Sequence, residues 1–185
     1  MKKVYMIHGW GGSSKDNWFP WLKEELEKKN TKVIIFDMPD TDKPKIEIWV
    51  KYLEEKIKDA DENTYFIGHS IGCQTIIRFL EKLHKNKKVA GCLFVAPWFN
   101  LINMEPEEIE IAHPWINSKI HFDRVLEHCD NFLAIFSTDD PFVPLTEVEI
   151  FKEKLGAKII IEKNKGHFDE KEEPSILNQA ARLIK

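Results

Sequence analysis

Ser70, Asp139, Asp140 and His167 are the residues of this chain whose types suit acyl-transfer chemistry. A serine hydroxyl is a weak nucleophile unless a neutral imidazole takes its proton, and a carboxylate on the other ring nitrogen holds the useful tautomer. Ser70 is the centre of Gly68-His69-Ser70-Ile71-Gly72, a G-x-S-x-G pattern. Tyr65-Phe66-Ile67 before it is a short β-prone apolar run, and Ile71 to Leu83 after it has helical spacing. A serine in so sharp a strand-to-helix turn takes strained backbone angles, and flanking residues without a Cβ let strand and helix approach closely. Its hydroxyl then projects above the sheet. The N–H of Ile71, at the start of a helix, faces the place where an oxyanion would form.

The elements that must position these groups alternate strand and helix from end to end, the signature of βαβ units around a parallel sheet. Strands are expected at 3–8, 32–36, 65–67, 89–95, 132–136 and 158–161. Helices are expected at 20–29, from Pro44 to about 57, at 71–83, 146–155 and 174–184, with apolar stripes such as Ile46, Trp49, Val50, Leu53 and Ile57. In such a sheet ligands collect beyond the carboxyl ends of the strands. Trp10, Ser70, Asp140 and His167 all follow strand ends, so they converge in space. Their order, Ser then Asp then His, is that of one serine-hydrolase topology and not of the others.

Residues 98–131 break the rhythm. The stretch is long for a connection, holds Glu105-Pro106-Glu107-Glu108 and His113-Pro114-Trp115, and carries one expected short helix at 122–128. We read it as an ordered insertion after the fourth strand, a lid or wall over the site, with Trp98 and Trp115 as substrate-pocket residues. The alternative for both tryptophans is plain core packing. His8 and His69 read as structural, and Asp139 as a turn cap that competes with Asp140 for the acid's place.

Composition narrows the class. The chain has 185 residues, 43% hydrophobic and 31% charged, enough for one domain (1–185) with a sizeable core. A net charge of −4 offers no basic field to nucleic acid, and no apolar run is long enough to span a membrane. Cys73, Cys92 and Cys129 lack metal-type spacing and read as reduced thiols, which together with the lack of a leader segment points to the cytoplasm. No cofactor or metal is expected, since the remaining histidines show no partnered i, i+4 spacing.

His8-Gly9-Trp10-Gly11-Gly12, the Ser70 pattern, Asp139-Asp140-Pro141-Phe142-Val143-Pro144 and Gly166-His167-Phe168 together resemble the small serine hydrolases of the YdeN and retinoblastoma-binding-protein-nine type. The resemblance covers nearly the whole chain. It implies a compact α/β-hydrolase fold, a six-stranded parallel sheet of order 2-1-3-4-5-6 with helices on both faces. It also implies Ser70 as nucleophile, Asp140 as acid and His167 as base, with the N–H groups of Trp10 and Ile71 as oxyanion hole. The L-x-C-x-E motif linked to retinoblastoma binding has no match, so that partner does not carry over and any protein partner is unknown. The expected activity is hydrolysis of small carboxylic esters, or of amides, through an acyl-enzyme. Acyl transfer to a nucleophile other than water uses the same residues. The rival reading is a protein that keeps the fold as a binding or regulatory partner with little turnover.

Overall fold

A computed structural model describes residues 1–184. Its six strands are β1 (Lys2–Ile7), β2 (Thr31–Phe36), β3 (Thr64–His69), β4 (Gly91–Val95), β5 (Phe132–Ser137) and β6 (Lys158–Glu162). They form one parallel sheet of order β2-β1-β3-β4-β5-β6. The central strand β3 is buried along its whole length, as its unbroken Tyr-Phe-Ile run requires, whereas β6 at the edge holds only half-buried and exposed residues. Each strand boundary lies within two residues of the expected one.

The helices are α1 (Phe19–Glu27), α2 (Ile46–Lys56), α3 (Ile71–Glu81), α4 (Pro106–Asn117), α5 (Phe122–His128), α6 (Glu147–Leu155) and α7 (Pro174–Leu183). α1 packs with α7 on one face, while α2, α3, α5 and α6 contact one another in series on the other. The helix α3 that follows the Ser70 turn is buried from Ile71 to Leu80, which is why its apolar residues run all round it and not along one stripe. Two expectations need correction. Pro44 does not open α2; the helix starts after Lys45, whose extended backbone (φ −117, ψ 133) still belongs to the loop. The segment after β4 holds two helices, not one. α4 begins at Pro106 behind a capping box in which Glu105 and Glu108 exchange side-chain and backbone hydrogen bonds, and it tolerates Pro114 in its last turns.

Candidate active site

β3 ends against α3 at Ser70, whose backbone takes φ 51 and ψ −124, a combination rare for a residue with a side chain. The glycines around it are required by close approach. A Cβ on Gly72 would lie 2.6 Å from the carbonyl oxygen of His8 and nearer still to that of Ile7. One on Gly68 would lie 2.9 Å from the backbone nitrogen of Cys73. The Ser70 N–H donates to Val95 O at the end of β4 (2.9 Å), so the turn is tied to the neighbouring strand. The Ser70 hydroxyl oxygen accepts a hydrogen bond from Nε1–H of Trp98 (3.2 Å).

His167 sits on the loop after β6, between two residues of left-handed backbone, Gly166 (φ 51) and Phe168 (φ 61). Its Nδ1 bonds to Oδ2 of Asp140 at 2.8 Å, and the Asp140 side chain is 1% exposed. Oδ1 of Asp140 accepts the N–H groups of Phe142 (2.9 Å) and Val143 (3.0 Å), so the carboxylate is held by three donors in a fixed orientation. Asp139 does something else. Its Oδ1 accepts from the Ser137 hydroxyl (2.7 Å) and from Gly166 N–H (2.9 Å), knitting the loops after β5 and β6 together. Those two bonds, the Ser137 one first, hold its carboxyl below the usual range. The carboxylate on the imidazole is therefore Asp140.

Two further histidines back this arrangement. His69 is buried beneath His167, ring centroids 4.8 Å apart, and its Nε2–H donates to the His167 carbonyl (2.8 Å). Burial, and then the neighbouring His167, push its pKa down to about 3, so it stays neutral. His8 accepts Met38 N–H at Nε2 (3.0 Å), which leaves Nδ1–H to donate to Gly9 O (2.8 Å). Burial lowers its pKa as well.

Ser70, His167, Trp10 and Trp98 share one cavity of about 290 Å³. Phe19, Leu101, Met104 and Phe142 supply apolar wall, Asp16, Glu108 and Asp169 line it too, and among the described residues no lysine or arginine does. Trp98 lines this cavity. Trp115 does not: it is buried away from the cavity, with its N–H on Pro44 O (3.0 Å) and its ring against Trp49 and Arg78. Ile71 is the first residue of α3, a position whose N–H has no intrahelical acceptor, and its side chain is fully buried. Sequence reasoning missed Glu147, a fully buried carboxylate on α6 that accepts the Phe99 N–H and the Asn100 side-chain N–H (2.9 Å), and burial raises its pKa. Nothing in a local pattern marks such a residue, because its partners lie more than forty positions away.

A six-stranded parallel sheet in this order, with a serine on the strand-to-helix turn of its central strand, defines the α/β-hydrolase class. Within it the chain belongs to the serine hydrolase family, which it matches over residues 4–185. It is 30% identical over 171 residues to the hydrolase YdeN of Bacillus subtilis (strain 168), covering 92% of this chain and 88% of that protein. The crystal structure of the B. subtilis ydeN product superimposes with a TM-score of 0.90 at 27% identity, covering 99% of this chain and 98% of that one. The serine hydrolase RBBP9 of Rattus norvegicus is 26% identical over 175 residues, covering 92% of this chain and 89% of its own length. A monoacylglycerol lipase of Paleococcus ferrophilus shares the fold, with a TM-score of 0.74 at 18% identity and coverage of 98% and 93%. The protein is thus a hydrolase by family.

Proposed function

We propose that this hydrolase cleaves small, uncharged carboxylic esters through a Ser70–His167–Asp140 triad. The observation that carries the reading is the 2.8 Å bond from His167 Nδ1 to a carboxylate already fixed by two backbone N–H groups, at a cavity shared with Ser70. That bond puts the proton on Nδ1 and leaves the Nε2 lone pair to take the Ser70 proton. In unliganded hydrolases the serine–imidazole contact is commonly loose and tightens with substrate.

Ser70 Oγ attacks the acyl carbon while His167 Nε2 takes its proton. The carbonyl oxygen, now negative, receives the N–H groups of Trp10 and Ile71, each such donor being worth about 3 kcal/mol. His167 passes the proton to the leaving alcohol as the ester bond breaks. Water then gives a proton to His167 and its oxygen to the acyl carbon, and Ser70 recovers its proton from Nε2. The segment 98–131 forms one wall of the pocket through Trp98, Leu101, Met104 and Glu108. A cavity of about 290 Å³ is at the small end for ligand sites and fits a short acyl group, not a polymer.

An alkyl fluorophosphonate and a series of p-nitrophenyl esters test this directly. Wild type is expected to be labelled at Ser70 and to favour acetyl to hexanoyl esters, while Ser70→Ala is neither labelled nor active. Labelling that persists in Ser70→Ala would remove the nucleophile from the reading.

A further inference from the structure

The Ser70 hydroxyl is held by more than the elbow. Trp98 Nε1 lies 3.2 Å from Oγ, and an indole N–H donates only, so Oγ accepts there. Trp98 is 1% exposed, and the chain on either side of it is tied down. Ala96, two residues earlier, is in left-handed backbone (φ 45). Immediately after it, Phe99 N–H and the Asn100 side chain are both bound by the buried carboxylate of Glu147. The Ser70 N–H, meanwhile, is on Val95 O of the same strand exit. Nucleophile and indole are therefore fixed to one rigid corner.

Building on the proposed triad, we infer that Trp98 positions the nucleophile: its indole N–H orients the Ser70 hydroxyl so that the proton faces His167 and one lone pair faces the acyl carbon. A hydroxyl oxygen has three tetrahedral directions besides its bond to carbon. Trp98 fills one with a donor, which excludes the hydroxyl proton from that side. In the unliganded protein Ser70 Oγ bonds to Trp98 and forms no hydrogen bond with His167; once substrate draws the two together, His167 Nε2 is the acceptor left for the proton, because Asp140 holds the Nδ1 proton. The remaining lone pair is left to the substrate. When Ser70 departs from the acyl-enzyme the same N–H meets the oxygen as it gains negative charge, so the contact serves both half-reactions. A mere wall residue would need the ring and not the nitrogen.

Two substitutions separate nitrogen from bulk. Trp98→Phe keeps a ring and loses the donor. Trp98→His loses the benzo ring and keeps an N–H at the place of Nε1. The second-order rate of fluorophosphonate labelling is expected to fall about tenfold in Trp98→Phe, the worth of one hydrogen bond, and to recover to within about threefold of wild type in Trp98→His at pH 8. Equal rates for wild type and Trp98→Phe, or a slower Trp98→His than Trp98→Phe, would overturn the inference. A second measurement does not need either variant to fold. The ¹⁵N–¹H spectrum of wild type should show six indole cross-peaks, one per tryptophan, and Ser70→Ala should move one of them, that of Trp98. No moved indole means no such bond in solution, which also overturns the inference. Failure of wild type to label at Ser70 would instead remove the triad reading, on which this one stands.

Discussion

Replacing Asp140 by asparagine separates charge from shape beside the imidazole. The amide oxygen would stay with the Phe142 and Val143 N–H groups, turning the NH₂ toward His167 Nδ1. A donor there forces the ring proton to Nε2, the wrong tautomer for taking a proton from Ser70. Ester turnover is expected to fall by about 10³ to 10⁴ with little change in melting temperature, read from kcat and a thermal scan. His69 makes a stability prediction of definite sign. With a folded pKa of about 3 against 6.5 unfolded, it is neutral in both states above pH 7. As pH falls below 6.5 the unfolded chain takes the proton first, so folding stability is lost toward acid. His69→Gln keeps an N–H for the His167 carbonyl but does not titrate. Urea unfolding is expected to show the variant losing roughly 3 kcal/mol less stability than wild type between pH 7 and pH 4.

Between elements, α3 and α4 are joined by one buried cation. Arg78 on α3 is 5% exposed and donates to Trp115 O (3.0 Å) and Ser118 O (3.1 Å), the last turn and end of α4, as well as to Gln74. Its partners are neutral carbonyls and an amide, and burial lowers its pKa. In Arg78→Met the Trp115 carbonyl stays buried without that donor, so a loss of about 1–3 kcal/mol is expected, with faster amide exchange in α4 than in the sheet. α4 also shows where reading from sequence stops. Glu105-Pro106-Glu107-Glu108 is a helix start in plain view, but Pro114 interrupts the pattern and the helix has few buried residues, Ala112 and Trp115 among them. Trp115 went to the core and not to the pocket because Arg78 and Pro44 claim it, and neither pairing leaves a trace in local spacing. Strand ends and the Ser70 turn were legible for the opposite reason: apolar runs, prolines and glycines act locally. Glu147 and Arg78, whose partners are distant in sequence, were not.

Across the molecule, a net charge of −4 and a cavity with three carboxylates and, among the described residues, no lysine or arginine oppose an anionic substrate. For a monoanionic ester such as a succinate half-ester, kcat/KM is expected about tenfold or more below that of its uncharged isostere. The gap should narrow as salt rises from about 20 to 500 mM, since ions screen charges beyond a few ångströms. Equal rates at low salt would argue that the substrate's charge never nears those carboxylates. The strand order carries a consequence of another kind. After β1 and β2 have paired, β3 takes the free edge of β1, and β4, β5 and β6 then each join the strand before them. A chain leaving the ribosome can lay its sheet down in the order of its translation, with no strand waiting for a partner not yet made. His167 comes only after the last of them, so under the proposed triad an incomplete nascent chain carries an unarmed serine, and hydrolytic capacity arrives with the finished sheet.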